Sequence, residues 1–205
     1  WLDLTGAQLL LSLMSKAVLW LHGLGDTGAG WMGAFDEEVP DCEFMHPTAP
    51  RQPVTCNGGA RQTSWFDIED IPILLSEPEN PAGMEETVSK VHDMLESLEK
   101  KGIPADKIII GGFSQGGCVS LRAGLSYPKT LGGICSISGW CSTRSDMNWI
   151  SEAGKSTPVL FCSGDGDPVV DFSLSKKSAE LLAGELGDNI QAIHPRRPMH
   201  QPHPQ

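Results

Sequence analysis

The sequence predicts an α/β protein built on one mainly parallel sheet with helices on both faces, and three observations lead there. Four strand-sized apolar runs, 17–22 (AVLWLH), 107–111 (KIIIG), 133–138 (GICSIS) and 158–162 (PVLFC), lack the polar alternation of a sheet with one wet face. Helical patterns separate them, as parallel strands require. At 205 residues, the chain is the size of one large domain with a single core.

Each element has a local reason. Met84, Val88, Val91, Leu95 and Leu98 step by four and three along one face of a helix over about 82–101, which Gly102 stops and Pro104 follows. Segments 115–126 and 173–186 read as two further helices, and 43–46 and 189–194 as weaker strands. Segment 47–64, PTAPRQPVTCNGGARQTS, is rich in Pro, Gly and Thr and reads as a long surface loop of the kind that lines binding sites. The apolar run Leu9-Leu10-Leu11-Ser12-Leu13-Met14 is too short to span a membrane. Residues 1–16 are therefore expected to be a dispensable extension with Met14 a plausible start, and 17–205 the domain, with a Pro-rich tail from 195.

Charge and cysteine usage narrow the partners. With 15 Lys+Arg against 26 Asp+Glu, the formal net charge of -11 repels nucleic acid and anionic lipid surfaces. Cys42, Cys56, Cys118, Cys135, Cys141 and Cys162 form no CxxC or zinc spacing, which favours a reducing, cytoplasmic setting and predicts no metal.

Two glycine-rich motifs carry chemistry. Gly23-x-Gly25-x-x-Gly28 follows the first strand, as a dinucleotide-binding loop would, and Asp41 or Glu43 could supply the ribose-binding acid. That reading leaves Ser114 unexplained. Gly112-Phe113-Ser114-Gln115-Gly116 is G-x-S-x-G between a strand and a helix, the context of a nucleophile elbow that lifts a serine hydroxyl clear of the sheet. Such a serine needs an oxyanion hole, which the N–H groups of Gln115 and of Leu24, in the loop His22-Gly23-Leu24-Gly25-Asp26, would supply. Downstream, Ser163-Gly164-Asp165-Gly166-Asp167-Pro168 puts two aspartates at a strand end, and either could orient a histidine; His194, His200 and His203 follow them.

Taken in order, HGLGDTG, APRQPVTCNGG, SWFD, GIPADKIIIGGFSQGG and PVLFCSGDGDPVV resemble the acyl-protein thioesterases, a group that includes lysophospholipase-like carboxylesterases of the α/β-hydrolase fold. The resemblance covers roughly 17–186. It implies Ser114 as nucleophile, Asp167 rather than Asp165 as acid, His200 as base, Leu24 and Gln115 as oxyanion donors, and Trp65 with the 47–64 loop beside an acyl groove. It further implies a cofactor-free hydrolase acting on acylated proteins or small acyl esters, with no stable membrane insertion. Two departures stand out. Ser163 replaces a histidine of the relatives, and prolines at 195, 198, 202 and 204 forbid the terminal helix that the relatives carry, so a sheet face is expected to lie bare. A short-chain carboxylesterase and a non-catalytic acyl-binding protein are the competing readings.

Overall fold

The computed structural model describes residues 16–35 and 42–195. Six strands form one all-parallel sheet: β1 (Lys16–Leu21), β2 (Cys42–Met45), β5 (Ile108–Phe113), β6 (Gly133–Ile137), β7 (Val159–Cys162) and β8 (Ile190–Ile193), in the order β2-β1-β5-β6-β7-β8. The expected strands lie within one or two residues of these, the two weak ones included. Among the described residues four α-helices are interleaved: α1 (Met84–Lys100), α2 (Gln115–Ser126), the short α3 (Glu152–Lys155) and α4 (Phe172–Leu186).

The stripe read from the sequence is the reason α1 exists as a helix. Met84, Val88, Val91, Leu95 and Leu98 are all buried, each contributing ~1.5–3 kcal/mol of apolar transfer, and Glu85, Glu86 and Lys100 complement the helix dipole at either end. Gly102 takes the left-handed conformation, φ +95°, that ends the element.

One feature differs from expectation. Segment 47–64 is largely an antiparallel hairpin, β3 (Arg51–Val54) with β4 (Ala60–Thr63), turned by Gly58 and Gly59, both at positive φ. Its strands are four residues long and mostly exposed, so no hydrophobic alternation announces them. The four helices of the described residues lie on one face of the sheet. Every step from β2 to β5, β6, β7 and β8 moves in one direction across the sheet, and right-handed crossovers then put all the intervening helices on the same side. Burial agrees: Ile108 and Ile110, facing the helices, are fully buried, whereas Ile109 between them is 40% exposed. The reverse step from β1 to β2 sends its connection to the opposite face, where Trp31 and Phe35 pack on Trp20. Among the described residues no helix is long and apolar enough to cross a membrane.

That change of direction positions the site. The chain leaves β1 toward β2 on one side and returns to β5 on the other, so the loops following β1 and β5 part at a topological switch point, where open parallel sheets bind ligands. Leu21 and Gly112 are register partners, which brings the 22–28 loop against the turn at Ser114.

Candidate active site

Ser114 occupies the turn between β5 and α2 at φ 54°, ψ −117°, a conformation that a residue with a Cβ rarely adopts. Its N–H donates to Ile137 O at 2.8 Å and its carbonyl accepts from Cys118 N at 3.0 Å, so both neighbouring elements hold the turn. The flanking glycines are needed for close packing. A Cβ on Gly112 would meet the Gly116 carbonyl carbon at 2.4 Å, and one on Gly116 would lie 2.1 Å from Leu21 O. The motif read from the sequence is thus a strained elbow wedged against the end of β1.

The loop after β1 is fixed from beneath. His22 is buried, and Ala49 N–H donates to its Nε2 at 3.0 Å, so Nδ1 carries the proton and donates to Gly23 O at 2.7 Å. Burial lowers the His22 pKa, and with both nitrogens committed this imidazole is a brace, not a base. Trp65 adds a second brace. It is 4% exposed, its indole N–H donates to His22 O at 2.8 Å, and it lies under the loop rather than lining the cleft beside Ser114. The Gln115 side chain, wholly buried, accepts from Trp65 N at 2.9 Å and donates to Ser64 Oγ at 2.9 Å and Phe66 O at 2.7 Å. Sequence reasoning used only the Gln115 backbone; the available signal was that a glutamine after an elbow serine, at the start of an apolar helix, has to find buried partners.

Above the braces, Leu24 lines the same cleft as Ser114, and Gln115 follows Ser114 directly. Gln115 is the first residue of α2, where no helical carbonyl is available to its N–H. Ser114 and the 23–26 loop share a cleft of ≈ 460 Å³ whose remaining walls are Phe113, Ile71 and Val169. It is a predominantly apolar space bordered by Ser114 and the glycine-rich 23–26 loop. A dinucleotide does not suit this loop: Gly28 opens only a four-residue 3-10 turn, Gly28–Trp31, instead of the helix whose N-terminus would hold a pyrophosphate.

A family model described as Phospholipase/Carboxylesterase matches residues 12–201. The chain belongs to this family. Among curated proteins it is similar to acyl-protein thioesterase 1 of Gibberella zeae, 37% identical over 188 residues that cover 86% of this chain and 79% of that protein. The acyl-protein thioesterase 1 of Schizosaccharomyces pombe is 39% identical over 175 residues, covering 84% and 77%. Of solved structures, Arabidopsis thaliana SOBER1 superposes with a TM-score of 0.81 at 33% identity, over 88% of this chain and 87% of that one. Zea mays acyl-protein thioesterase 2 gives 0.75 at 29% identity, over 88% and 84%.

Because the sheet is parallel, the chain leaves β7 and β8 at the same end of the sheet as Ser114. Asp167 is half-buried, and its Oδ1 accepts from Val169 N at 2.9 Å and Val170 N at 3.1 Å; Val169 is itself a wall of the cleft. Asp165 is exposed, with its N–H directed to Pro195 O at 3.3 Å. His194, at the end of β8, is exposed, contacts Ser163 Oγ through Nδ1 at 2.8 Å, and meets Phe172 edge-on. Ser163 therefore acts as an anchor for this corner. His92 contacts Ala123 O at 2.9 Å on the helical side, far in sequence from the site loops. His200 and His203 lie outside the described residues.

Proposed function

We propose that this family member hydrolyses acyl thioesters or esters through Ser114, His200 and Asp167. The observation that carries the reading is the strained Ser114 turn facing the Leu24 loop across an apolar cleft. Ser114 Oγ attacks the acyl carbonyl while His200 takes its proton, and Leu24 and Gln115 N–H groups receive the oxyanion. His200 then returns the proton to the departing thiol or alcohol, and water releases the acid by the same steps in reverse. Asp167 holds the imidazole tautomer. Support for His200 comes from the path of the chain: Ser163 N donates to Ile193 O at 3.0 Å and Asp165 N to Pro195 O at 3.3 Å, which leads the segment after β8 alongside the acid loop, and the family match runs to residue 201.

The main test is turnover of matched oxyesters and thioesters of increasing acyl length. Hydrolysis that favours long thioesters fits the acyl-protein thioesterase reading, a short-ester preference fits a general carboxylesterase, and no turnover with retained acyl binding would leave a binding protein. Between the acids, Asp167→Asn should lower kcat at least 10²-fold more than Asp165→Asn, because loss of a triad acid costs ~10⁴-fold. The reverse order would assign the acid to the exposed aspartate.

A further inference from the structure

In a chain with 15 Lys+Arg and 26 Asp+Glu, two arginines stand together without an acid. Arg51 on β3 and Arg61 on β4 share one face of the hairpin, since Arg51 pairs with Thr63 and Pro53 with Arg61. Each reaches across to the other's main chain: Arg51 Nη2 donates to Arg61 O at 2.8 Å, and Arg61 Nη2 to Arg51 O at 2.7 Å. Both residues are exposed, and among the described residues neither joins an ion pair. A carbonyl fixes a guanidinium without neutralising it, and like charges side by side on a hairpin repel. The arrangement holds two cations together with their remaining N–H groups unspent, which is how a site for an anion is built.

Its place makes it part of the reaction. Thr63, on the same face, donates its hydroxyl to Asp26 O at 2.6 Å, and its carbonyl accepts Gly25 N–H at 2.9 Å. Gly25 and Asp26 border the Ser114 cleft. With antiparallel partners about 5 Å apart at Cα, Arg51 is rooted within about 10 Å of the cleft rim. The apolar walls Ile71, Phe113 and Val169 suit an acyl chain and come from other elements. The other half of the substrate is left to the arginines.

We propose that Arg51 and Arg61 form an anion-binding pair that selects substrates whose leaving thiol or alcohol carries a phosphate. Two planar forks match phosphate oxygens better than point charges would. An anionic bilayer is the weaker candidate, because a net charge of -11 repels such a surface as a whole while a small soluble anion can enter one local patch. The proposal rests on the hydrolase reading, and the test separates the two.

Butyryl-coenzyme A and butyryl-N-acetylcysteamine present the same thioester with and without phosphates. In wild type, KM should be lower for the coenzyme A thioester. The Arg51→Gln/Arg61→Gln variant should raise that KM about tenfold, the scale of two partly exposed charged contacts, while kcat/KM for the neutral thioester stays within about twofold. Arg51→Lys/Arg61→Lys should fall between. Equal losses on both thioesters would mean that the arginines only support the hairpin, and no change on either would overturn the site. If neither thioester is turned over, the hydrolase reading fails by itself, and the pair is judged by calorimetric titration with free coenzyme A: binding to wild type and its loss in the Gln variant support the site, and no binding overturns it. Binding to phosphatidylglycerol vesicles that the Gln variant loses, without discrimination between the thioesters, would give the pair to a membrane and overturn the proposal.

Discussion

Replacing Ser114 with Ala should abolish covalent labelling by a fluorophosphonate and lower kcat by ~10⁴-fold or more, the scale set by loss of an activated nucleophile. The expectation rests on geometry that no other hydroxyl in the cleft shares. Ser114 alone combines a turn at φ 54° with the first N–H of α2 and the Leu24 loop across the same cleft. The thiols are no substitute: Cys118, one turn along α2, has its pKa raised by burial, and burial pushes Cys141 up to about 12. Intact-mass labelling that survives in Ser114→Ala would remove Ser114 as the nucleophile.

Gly116→Ala should be among the most damaging single methyl groups that can be added near the site. The new Cβ would lie 2.1 Å from Leu21 O and 2.6 Å from His22 O, both main-chain atoms of the segment that carries Leu24. No side-chain rotation relieves that overlap, so α2 has to move away from β1. The expected loss is ~3 kcal/mol or more, within the range of overpacking at a rigid backbone contact, and any folded remainder should lose activity because the two proposed oxyanion donors separate. Gly184 gives the control. It lies at an exposed position of α4 with nothing within 4 Å of an added Cβ, and Gly184→Ala should stabilise by about 0.5–1 kcal/mol. Urea unfolding of both variants checks the pair, and similar midpoints would show that the β1–α2 contact is soft.

Much of this was legible in the sequence because it rests on short-range rules. The strand runs, the α1 stripe and Gly112-Phe113-Ser114-Gln115-Gly116 each fit within a window of some 5–17 residues, and each lies where the local pattern puts it. What could not be read are interactions that pair distant segments through polar atoms. The β3–β4 hairpin is held by ladder bonds and by Asp67 on Thr55 N and Oγ1 at 2.8 and 2.6 Å, none of which leaves a hydrophobic period. Trp65 was legible as a residue near the site and illegible as a brace, because that role depends on His22 O, 43 residues away. The face on which the described helices lie follows from strand order, which similar apolar strands cannot specify by composition.

The Ser114 backbone has a thermodynamic side as well. A residue with a Cβ held at φ 54°, ψ −117° costs of order 1–3 kcal/mol, and the surrounding contacts must over-determine the turn for it to persist. Glycine reaches that conformation freely. An enzyme silenced by Ser114→Gly should therefore unfold at a higher urea concentration than its active parent, even after glycine's extra chain entropy takes back about 0.5–1 kcal/mol. On the proposed reading, reactivity and robustness are opposed at this one residue: selection for durability alone would favour glycine over the proposed nucleophile.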